Sequence, residues 1–334
     1  MWKKIVLGLV VVIVLAASAL LATLTFRRPA MVPPSNIKVE RTPERVARGR
    51  YIFEVVSSCA DCHSEVDESR FGFPIKPGRL GVGKVFPDGL GLPGAIVPGN
   101  LTQDHETGTG DWTDGELIRA IREGIGRDRR ALFPIMPYPE YRFMSDEDVQ
   151  SVVAYIRTLA PVRNVLPKTN IQFPVNLLIK GVPQPVGSVP SPDRNNPAAY
   201  GKYLATVAGC KFCHSPVENN ELVAGKEFSG GQSFQLSKGI MVVTANLTPD
   251  PETGTGRWTE QQFLDKFYQY KDYVEKGSPQ VAMTENTIMP WLGLARLEPD
   301  DLKAIFTYLK TLPPIKNAVE TKPSAAKTTP EGKN

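Results

Sequence analysis

The chain has 334 residues, and its 39 basic and 35 acidic residues give a formal net charge of only +4. So mild a charge, without a long basic run, argues against a nucleic-acid-binding protein. The 30 prolines and 28 glycines, with 8% aromatic residues, predict small domains rich in loops. Four cysteines and three histidines are few enough for their positions to be informative.

The N-terminal segment, residues 1–26, differs from the rest of the chain. Lys3 and Lys4 precede 22 uncharged residues, Ile5 to Phe26, and a helix of that length can cross the hydrocarbon core of a bilayer. The alternative is a cleaved signal peptide with its cleavage site at residues 17–19. Because the apolar run continues past that site, we expect an uncleaved membrane helix. Either interpretation exports the remaining chain.

The middle of the chain contains one sequence segment in two copies, here called the repeated phrase. "NLTQDHETGTGDWTDGEL" begins at Asn100 and returns as "NLTPDPETGTGRWTEQQF" at Asn246, with eleven of eighteen positions identical. A C-x-x-C-H motif precedes each copy and a Met–Pro pair follows each copy. A repeat of this length predicts tandem domains.

The repeat and the composition between its copies predict the domain boundaries. An extended tether is expected over 27–40, the first domain over 41–160 and the second over 198–314. The proline-rich segment 161–197 has no clear helical period and is expected to be a surface linker. The polar segment 315–334 is expected to be a disordered tail.

Each domain is predicted to contain about three main helices, so the expected fold class is all-α. Thr42 can cap the first helix with Pro43 at its first position. Capping boxes pair Thr113 with Glu116 and Thr259 with Gln262, and Ser145 caps the next helix. The last helix of each half carries an apolar stripe with helical spacing. The stripe residues are Val149, Val152, Val153, Ile156 and Leu159 in the first half, and Leu302, Ile305, Phe306, Leu309 and Leu312 in the second.

The two cysteine motifs are "CADCH" at 59–63 and "CKFCH" at 210–214. A bare C-x-x-C is compatible with a redox disulfide, half of a zinc site or a haem attachment point. The histidine that directly follows both motifs favours haem attachment, because two thiols then bind one porphyrin edge and the imidazole binds the iron. A zinc ribbon needs its second pair about 15–20 residues later, and an exported disulfide does not need the histidine. The sequence therefore predicts two haem c groups. Their expected attachment and proximal residues are Cys59, Cys62 and His63, and Cys210, Cys213 and His214.

The second axial ligand must come from elsewhere in each half. The only other histidine is His105, and its counterpart in the repeat is Pro251. Methionine is an established haem ligand, and Met136 and Met289 precede proline at matching positions, 73 and 75 residues after the motif histidines. We therefore predict these two as iron ligands, although a methionine is otherwise an ordinary core residue. Core packing is the preferred interpretation for Met144, Met241 and Met283, which have no counterparts.

"CADCH", "NLTQDHETGTGDWTDGE" and "MPY", in this order, resemble the multihaem cytochrome c subunits of membrane-bound bacterial dehydrogenases, such as those of alcohol, gluconate and nicotinate dehydrogenases. The resemblance covers about residues 40–315. It implies a subunit that carries electrons from a dehydrogenase catalytic subunit to a quinone, a terminal oxidase or another cytochrome. It also implies haem domains in the periplasm, here anchored to the bacterial inner membrane by the N-terminal helix. Well-known members have three haem motifs and a C-terminal attachment, whereas this chain has two motifs.

By the same resemblance, the repeated phrase is expected to be a loop along the haem edge. Trp112 and Trp258, and equally Asn100 and Asn246, are either hydrogen-bond donors to a haem propionate or structural residues that fill the core and cap a turn. The "TGTG" segments are expected to need glycine for backbone shape.

Two functions remain open. The first is electron transfer through two haems whose iron has no free coordination position. The second is a dihaem enzyme of the peroxidase or thiosulfate-oxidising type with one labile haem. The enzyme requires a nearby acid or base, and His105 is the candidate imidazole, although a solvated loop histidine is the preferred interpretation.

Overall fold

The computed structural model describes residues 2–88, 90–218 and 221–325. The N-terminal segment forms one long helix, α1, over Trp2–Phe26, and none of its side chains is buried. Its mean hydropathy reaches 3.1 and its length is sufficient to cross a membrane. The predicted apolar helix is therefore confirmed, while its retention or cleavage is a separate question.

The rest of the described chain contains two halves whose helices follow the same order, except that the second half has one additional helix, Lys271–Lys276. The helices of the first half and the linker are α2 (Pro43–Tyr51), α3 (Cys59–His63), α4 (Asp114–Glu123), α5 (Tyr138–Tyr141), α6 (Asp146–Ile156) and α7 (Val175–Leu178). Those of the second half are α8 (Pro197–Val207), α9 (Cys210–Cys213), α10 (Glu260–Tyr268), α11 (Lys271–Lys276), α12 (Trp291–Leu294) and α13 (Pro299–Lys310). A turn of π-helix, Ile52–Val56, extends α2, and 3-10 turns occur at Ile179–Gly181 and Met283–Glu285.

Short antiparallel strands connect these helices, so the fold is largely helical but not all-α as predicted. They lie in segments of the two halves, the linker and the C-terminal tail that carry no helical period, where backbone groups pair across the chain instead. The strands are β1 (Gly94–Ala95) with β2 (Asn170–Ile171), β3 (Val217–Glu218) with β4 (Glu221–Leu222), and β5 (Ser233–Ser237), β6 (Ile240–Val243) and β7 (Ser324–Ala325) in one sheet.

The predicted helix starts are confirmed by their capping hydrogen bonds. Thr42 Oγ1 accepts the Arg45 amide at 3.2 Å, and Pro43 opens α2. Both capping boxes form completely, at Thr113 for α4 and Thr259 for α10. Ser145 Oγ accepts the Asp148 amide at 3.1 Å and begins α6. Each cap satisfies amide groups that have no partner within the helix.

In each half the first helix crosses the last helix, α2 against α6 and α8 against α13. The backbones approach so closely that a Cβ at Gly49 would lie 1.8 Å from the Ser151 carbonyl oxygen, and one at Gly201 would lie 1.8 Å from that of Ala304. The predicted apolar stripes lie in the core: all their members are buried except Leu312, which packs against the core half-buried. The two halves therefore share one packing scheme.

The halves contact each other through reciprocal hydrogen bonds. Tyr51 of α2 donates its hydroxyl hydrogen to Asp301 of α13 at 2.8 Å, and Tyr203 of α8 donates to Asp148 of α6 at 2.6 Å. The Tyr51 hydroxyl also accepts the Glu298 amide at 3.0 Å, and the Tyr203 hydroxyl accepts the Ser145 amide at 3.2 Å. Equivalent residues thus exchange partners, as expected of a self-complementary interface with approximate two-fold symmetry.

Two of the predicted connecting segments are more ordered than expected. The linker contains β2, α7 and a 3-10 turn, with Leu177 and Ile179 buried. The predicted disordered tail is wrong for its first part, because the Ile315 carbonyl accepts the Asn246 side-chain amide at 2.7 Å and β7 pairs with β6. Residues 326–334 lie outside the described residues. Composition alone does not reveal these long-range hydrogen bonds.

The tether over 27–40 contains no helix or strand, as expected. Its end is fixed to the start of α4: the Val39 amide donates to Asp114 Oδ2 at 2.9 Å, and a Cβ at Gly115 would lie 2.0 Å from the Ser35 carbonyl oxygen.

Candidate haem site

One cavity of about 870 Å³ runs through the centre of the molecule. It is lined by both cysteine motifs, by Met136 and by Met289. Its volume lies in the upper part of the range for ligand pockets, about 300–1,000 Å³. Aliphatic and aromatic side chains form most of its wall, among them Phe53, Leu117, Leu294 and Ile305. The structure therefore brings together all eight residues that the sequence singles out, although they are up to 230 positions apart, from Cys59 to Met289.

A left-handed residue turns the chain into each cysteine motif. Ser58 has φ 48° and precedes α3, and Gly209 has φ 69° and precedes α9. In the first half, Tyr141 of α5 supports this turn by donating its hydroxyl hydrogen to the Ser57 carbonyl at 2.8 Å. The sharp turn lets the first helix of each half pack in the core while the cysteines face the cavity. Glycine adopts such a turn without strain, whereas serine does so at some cost.

Burial makes the four thiols poor nucleophiles. All four cysteines are free of disulfides. Removal from water raises the pKa of Cys59 to about 12 and that of Cys62 to about 11. The pKa values of Cys210 and Cys213 are both raised to about 12, again mainly by burial. A thiol–disulfide oxidoreductase needs the opposite, a lowered cysteine pKa, so the geometry does not support the redox-disulfide interpretation.

Both motif histidines have the same orientation. His63 Nδ1 donates to the Gly99 carbonyl at 2.8 Å, and His214 Nδ1 donates to the Ala245 carbonyl at 2.8 Å. Burial lowers the pKa of each imidazole, so both are neutral and Nε2 keeps its lone pair. A ring nitrogen hydrogen-bonded to a carbonyl, with the other free to ligate, is the arrangement typical of metal-binding histidines.

The accepting carbonyls belong to the residues immediately before the repeated phrase, which explains part of the repeat. Asn100 is buried, and its Nδ2 donates to Thr107 Oγ1 at 3.1 Å and to the Val162 carbonyl at 2.8 Å. Asn246 makes the equivalent bonds to Thr253 Oγ1 at 3.1 Å and the Ile315 carbonyl at 2.7 Å. Both amide hydrogens are used within the protein, which favours the structural interpretation of these asparagines over a propionate contact.

The glycines of "TGTG" are needed for close approach. A Cβ at Gly108 would lie 2.3 Å from the Thr102 carbonyl oxygen, and one at Gly254 would lie 2.1 Å from that of Thr248. The expected need for glycine is confirmed, with crowding rather than a left-handed backbone as its cause.

The tryptophans of the repeated phrase, Trp112 and Trp258, line the cavity. Within the described part of the chain neither indole N–H has a hydrogen-bond partner, so both remain available to a bound group. Arg130 and Lys266 line the same cavity. These cations were not identified from the sequence, because they do not occupy equivalent positions of the repeat.

Met136 and Met289 occupy equivalent positions at the cavity. Each precedes the proline that begins a short helix, α5 or α12, and each carbonyl accepts an amide two residues on at 2.7 Å, from Tyr138 and Trp291 respectively. Both are half-buried against the core. Met144 is fully buried, which confirms its expected core role, while Met241 and Met283 are half-buried outside the core.

His105 lies away from this site. Its side chain is 76% exposed and its Nδ1 is 2.7 Å from Asp111 Oδ1, and it is not among the residues that line the cavity. The preferred interpretation, a solvated loop histidine, is confirmed.

Two further groups at the first motif were missed by sequence reasoning. Lys84 Nζ donates to the Asp61 carbonyl at 2.7 Å. Burial raises the pKa of the Asp61 carboxyl to about 6 and lowers that of the Lys84 ammonium. Asp61 stands in "CADCH" where the second motif has Phe212, and this difference is one sequence signal of an asymmetry between the two sites.

Comparisons with known proteins agree with this geometry. The family described as Cytochrome c matches residues 46–160. The chain is 28% identical to the alcohol dehydrogenase (quinone), cytochrome c subunit, of Gluconacetobacter polyoxogenes, over 87% of this chain and 62% of the relative. It is 28% identical to the gluconate 2-dehydrogenase cytochrome c subunit of Pantoea cypripedii, over 80% and 59%.

A third relative has a comparable length. A diheme cytochrome c-type protein of Cereibacter sphaeroides is 26% identical over 94% of this chain and 100% of the relative. By contrast, the chain spans about six tenths of the two dehydrogenase subunits. Residues 46–160 therefore resemble a cytochrome c domain, and most of the chain is similar to the cytochrome c subunits of dehydrogenases and to a diheme cytochrome c.

Proposed function

We propose that this protein is a dihaem c-type cytochrome that passes single electrons. The main observation that supports this proposal is the apolar cavity lined by both C-x-x-C-H motifs and both methionines. The proposal includes a second cytochrome c domain over 198–314, which is supported by the matching helix order, caps and helix crossings of the two halves.

The residues present fit two covalently held haem groups. Cys59 and Cys62, and Cys210 and Cys213, would supply the thioether bonds. His63 and His214 would ligate iron through Nε2, since each Nδ1–H is committed to a carbonyl. Met136 and Met289, which line the same cavity, would supply the remaining iron ligands. A haem iron with histidine and methionine ligands supplies one-electron chemistry, and methionine raises its potential.

The protein's own residues would insulate and connect the two sites. The cavity wall is mainly apolar, and the neutral imidazoles are held in one orientation. Cys62 of the first half and Cys213 of the second half both line this cavity. A shared cavity supports direct transfer between the two sites, and no acid, base or nucleophile is required.

The proposed partners follow from the relatives. A dehydrogenase catalytic subunit would donate electrons, because the related chains are named as cytochrome c subunits of such enzymes. A quinone, a terminal oxidase or another cytochrome would accept them. Helix α1 would anchor the chain in the bacterial inner membrane. The haem domains would lie in the periplasm, a compartment that receives exported domains and is compatible with c-type haem attachment.

The optical spectrum tests this function against the dihaem enzyme. Two irons with methionine ligands predict a weak far-red absorption band in the oxidised protein, with an intensity that corresponds to both haems. Addition of cyanide or peroxide should leave the spectrum unchanged on the time scale of mixing. A far-red band from one haem only, with rapid ligand binding at the other, would favour the enzyme.

A further inference from the structure

The linker carries an apolar patch at the point where the N-terminal helix ends. Phe173, Leu178 and Val182, here called the linker patch, are 69%, 56% and 38% exposed. Helix α7 contacts α1. Lys180 Nζ donates to the Thr25 carbonyl at 2.7 Å, so the patch and the end of α1 are held together.

The chain segments that carry and adjoin the linker patch have charges of one sign. Residues 27–39 and 161–192 contain no aspartate or glutamate. Their basic residues are Arg27, Arg28, Lys38, Arg163, Lys168 and Lys180. An anionic bilayer surface attracts such residues, although Arg163 is already paired with Glu106 at 2.8 Å. Basic residues beside exposed aromatic and aliphatic side chains are typical of segments that lie in the headgroup layer.

We propose that the linker patch is a second membrane contact, which lies in the headgroup layer of an anionic bilayer beside the end of α1. The proposal rests on the anchoring of α1 proposed above. If α1 spans the bilayer, its end lies in the headgroup layer, and Phe26 and Arg27 then lie at the same depth as the patch. The position of the patch beside the end of α1 therefore favours lipid as its occupant. Any protein partner that covered the patch would have to share the headgroup layer with phospholipid.

The contact would also orient the first half. The linker is fixed to it by the pairing of Ile171 with Gly94, by the Gln172 amide, which donates to the Pro93 carbonyl at 2.8 Å, and by the Val97 amide, which donates to Thr169 Oγ1 at 3.1 Å. Val97 and Thr169 line the cavity. A bilayer against the patch would therefore hold this side of the first site at a fixed distance from the membrane.

Photolabelling from lipid tests the proposal. The full-length haem-loaded protein is placed in nanodiscs of mixed zwitterionic and anionic phospholipids, with a diazirine high on one acyl chain, and labelled peptides are mapped by mass spectrometry. We expect adducts on α1 and on 173–182. In the double variant Phe173→Ser/Leu178→Ser, labelling of 173–182 should fall about tenfold and that of α1 should not change. Phe143→Ser, which removes another exposed phenylalanine, is the matched control and should leave both signals unchanged.

The outcomes separate the two proposals. Labelling of α1 without labelling of 173–182 in the wild-type protein would overturn the linker contact and leave the anchor intact. Absence of labelling on α1 would instead contradict the anchor. If 173–182 is unlabelled in nanodiscs but protected from hydrogen exchange in native membranes, the occupant is a protein and the lipid proposal is wrong.

Discussion

Each imidazole is oriented by one carbonyl, and each candidate sulfur ligand directly precedes a proline. The carbonyls of Gly99 and Ala245 fix the histidine Nδ1 atoms. Asn100 and Asn246 fix the loops that carry these carbonyls. The repeated phrase therefore acts on the site indirectly, through the backbone that precedes it.

Replacement of one methionine by histidine should change one redox potential. Methionine raises the potential of haem iron relative to histidine, so Met136→His should lower the potential of the first haem and leave the second near its wild-type value. Met289→His should do the reverse. A spectroelectrochemical titration checks both variants. A titration identical to the wild type would reject the ligand assignment of the residue changed.

The buried asparagines should contribute to stability more than to the potentials. Asn100→Ala removes one acceptor and two donor contacts inside the protein, and we expect a loss of about 1–3 kcal/mol in the free energy of unfolding. Denaturant unfolding of the haem-loaded protein measures it. The exposed Asn195→Ala is the control, with an expected change within about 0.5 kcal/mol. Equal stability of Asn100→Ala and wild type would contradict the structural role.

At the scale of elements, the crossing of the first and last helix organises each half. The apolar stripes of α6 and α13 could be predicted from periodicity, because one buried face of a helix is a local pattern. The glycines at the crossings carry no such signal, since a close backbone approach depends on the partner helix. The same reason explains why the strands, the ordered linker and the fixed start of the tail were not predicted.

Adding a methyl group at the crossings should destabilise both halves. Gly49→Ala and Gly201→Ala each place a Cβ 1.8 Å from a carbonyl oxygen of the facing helix, and overpacking of this kind costs about 1–3 kcal/mol. Gly187→Ala is the control, because no atom lies within 4 Å of its Cβ position. Thermal unfolding of the three variants should show lower midpoints for the first two only. Equal midpoints in all three variants would mean that the helices move apart to accommodate the methyl group without a loss of stability.

For the whole molecule, the reciprocal tyrosine–aspartate bonds define how the two halves meet. The sequence contains the signal, since Tyr51 and Tyr203, and Asp148 and Asp301, occupy equivalent positions of the repeat. A single sequence does not show, however, that each of these tyrosines contacts the aspartate of the other half. The eight residues of the site could be predicted because their chemistry is rare, whereas the interface is built from common residues.

Removing both tyrosine hydroxyls should loosen this interface. In Tyr51→Phe/Tyr203→Phe, both carboxylates and two backbone amides lose a partner, at an expected cost of about 1–3 kcal/mol for each half. If the interface sets the separation of the haems, one-electron transfer between them after pulse reduction should also become slower. Tyr308→Phe is the control, because Tyr308 is half-buried and packs against Phe228 of its own half. A destabilised double variant with an unchanged transfer rate would limit the interface to a structural role.

The covalent haem content tests the central claim most directly. Intact-mass spectrometry of the wild-type protein, produced with the haem-attachment machinery, should give the polypeptide plus two haem groups. Cys59→Ala/Cys62→Ala and Cys210→Ala/Cys213→Ala should each retain one. A wild-type mass with no haem or one haem, or a cysteine variant that keeps two, would contradict the proposal that each half binds its own haem through its own motif.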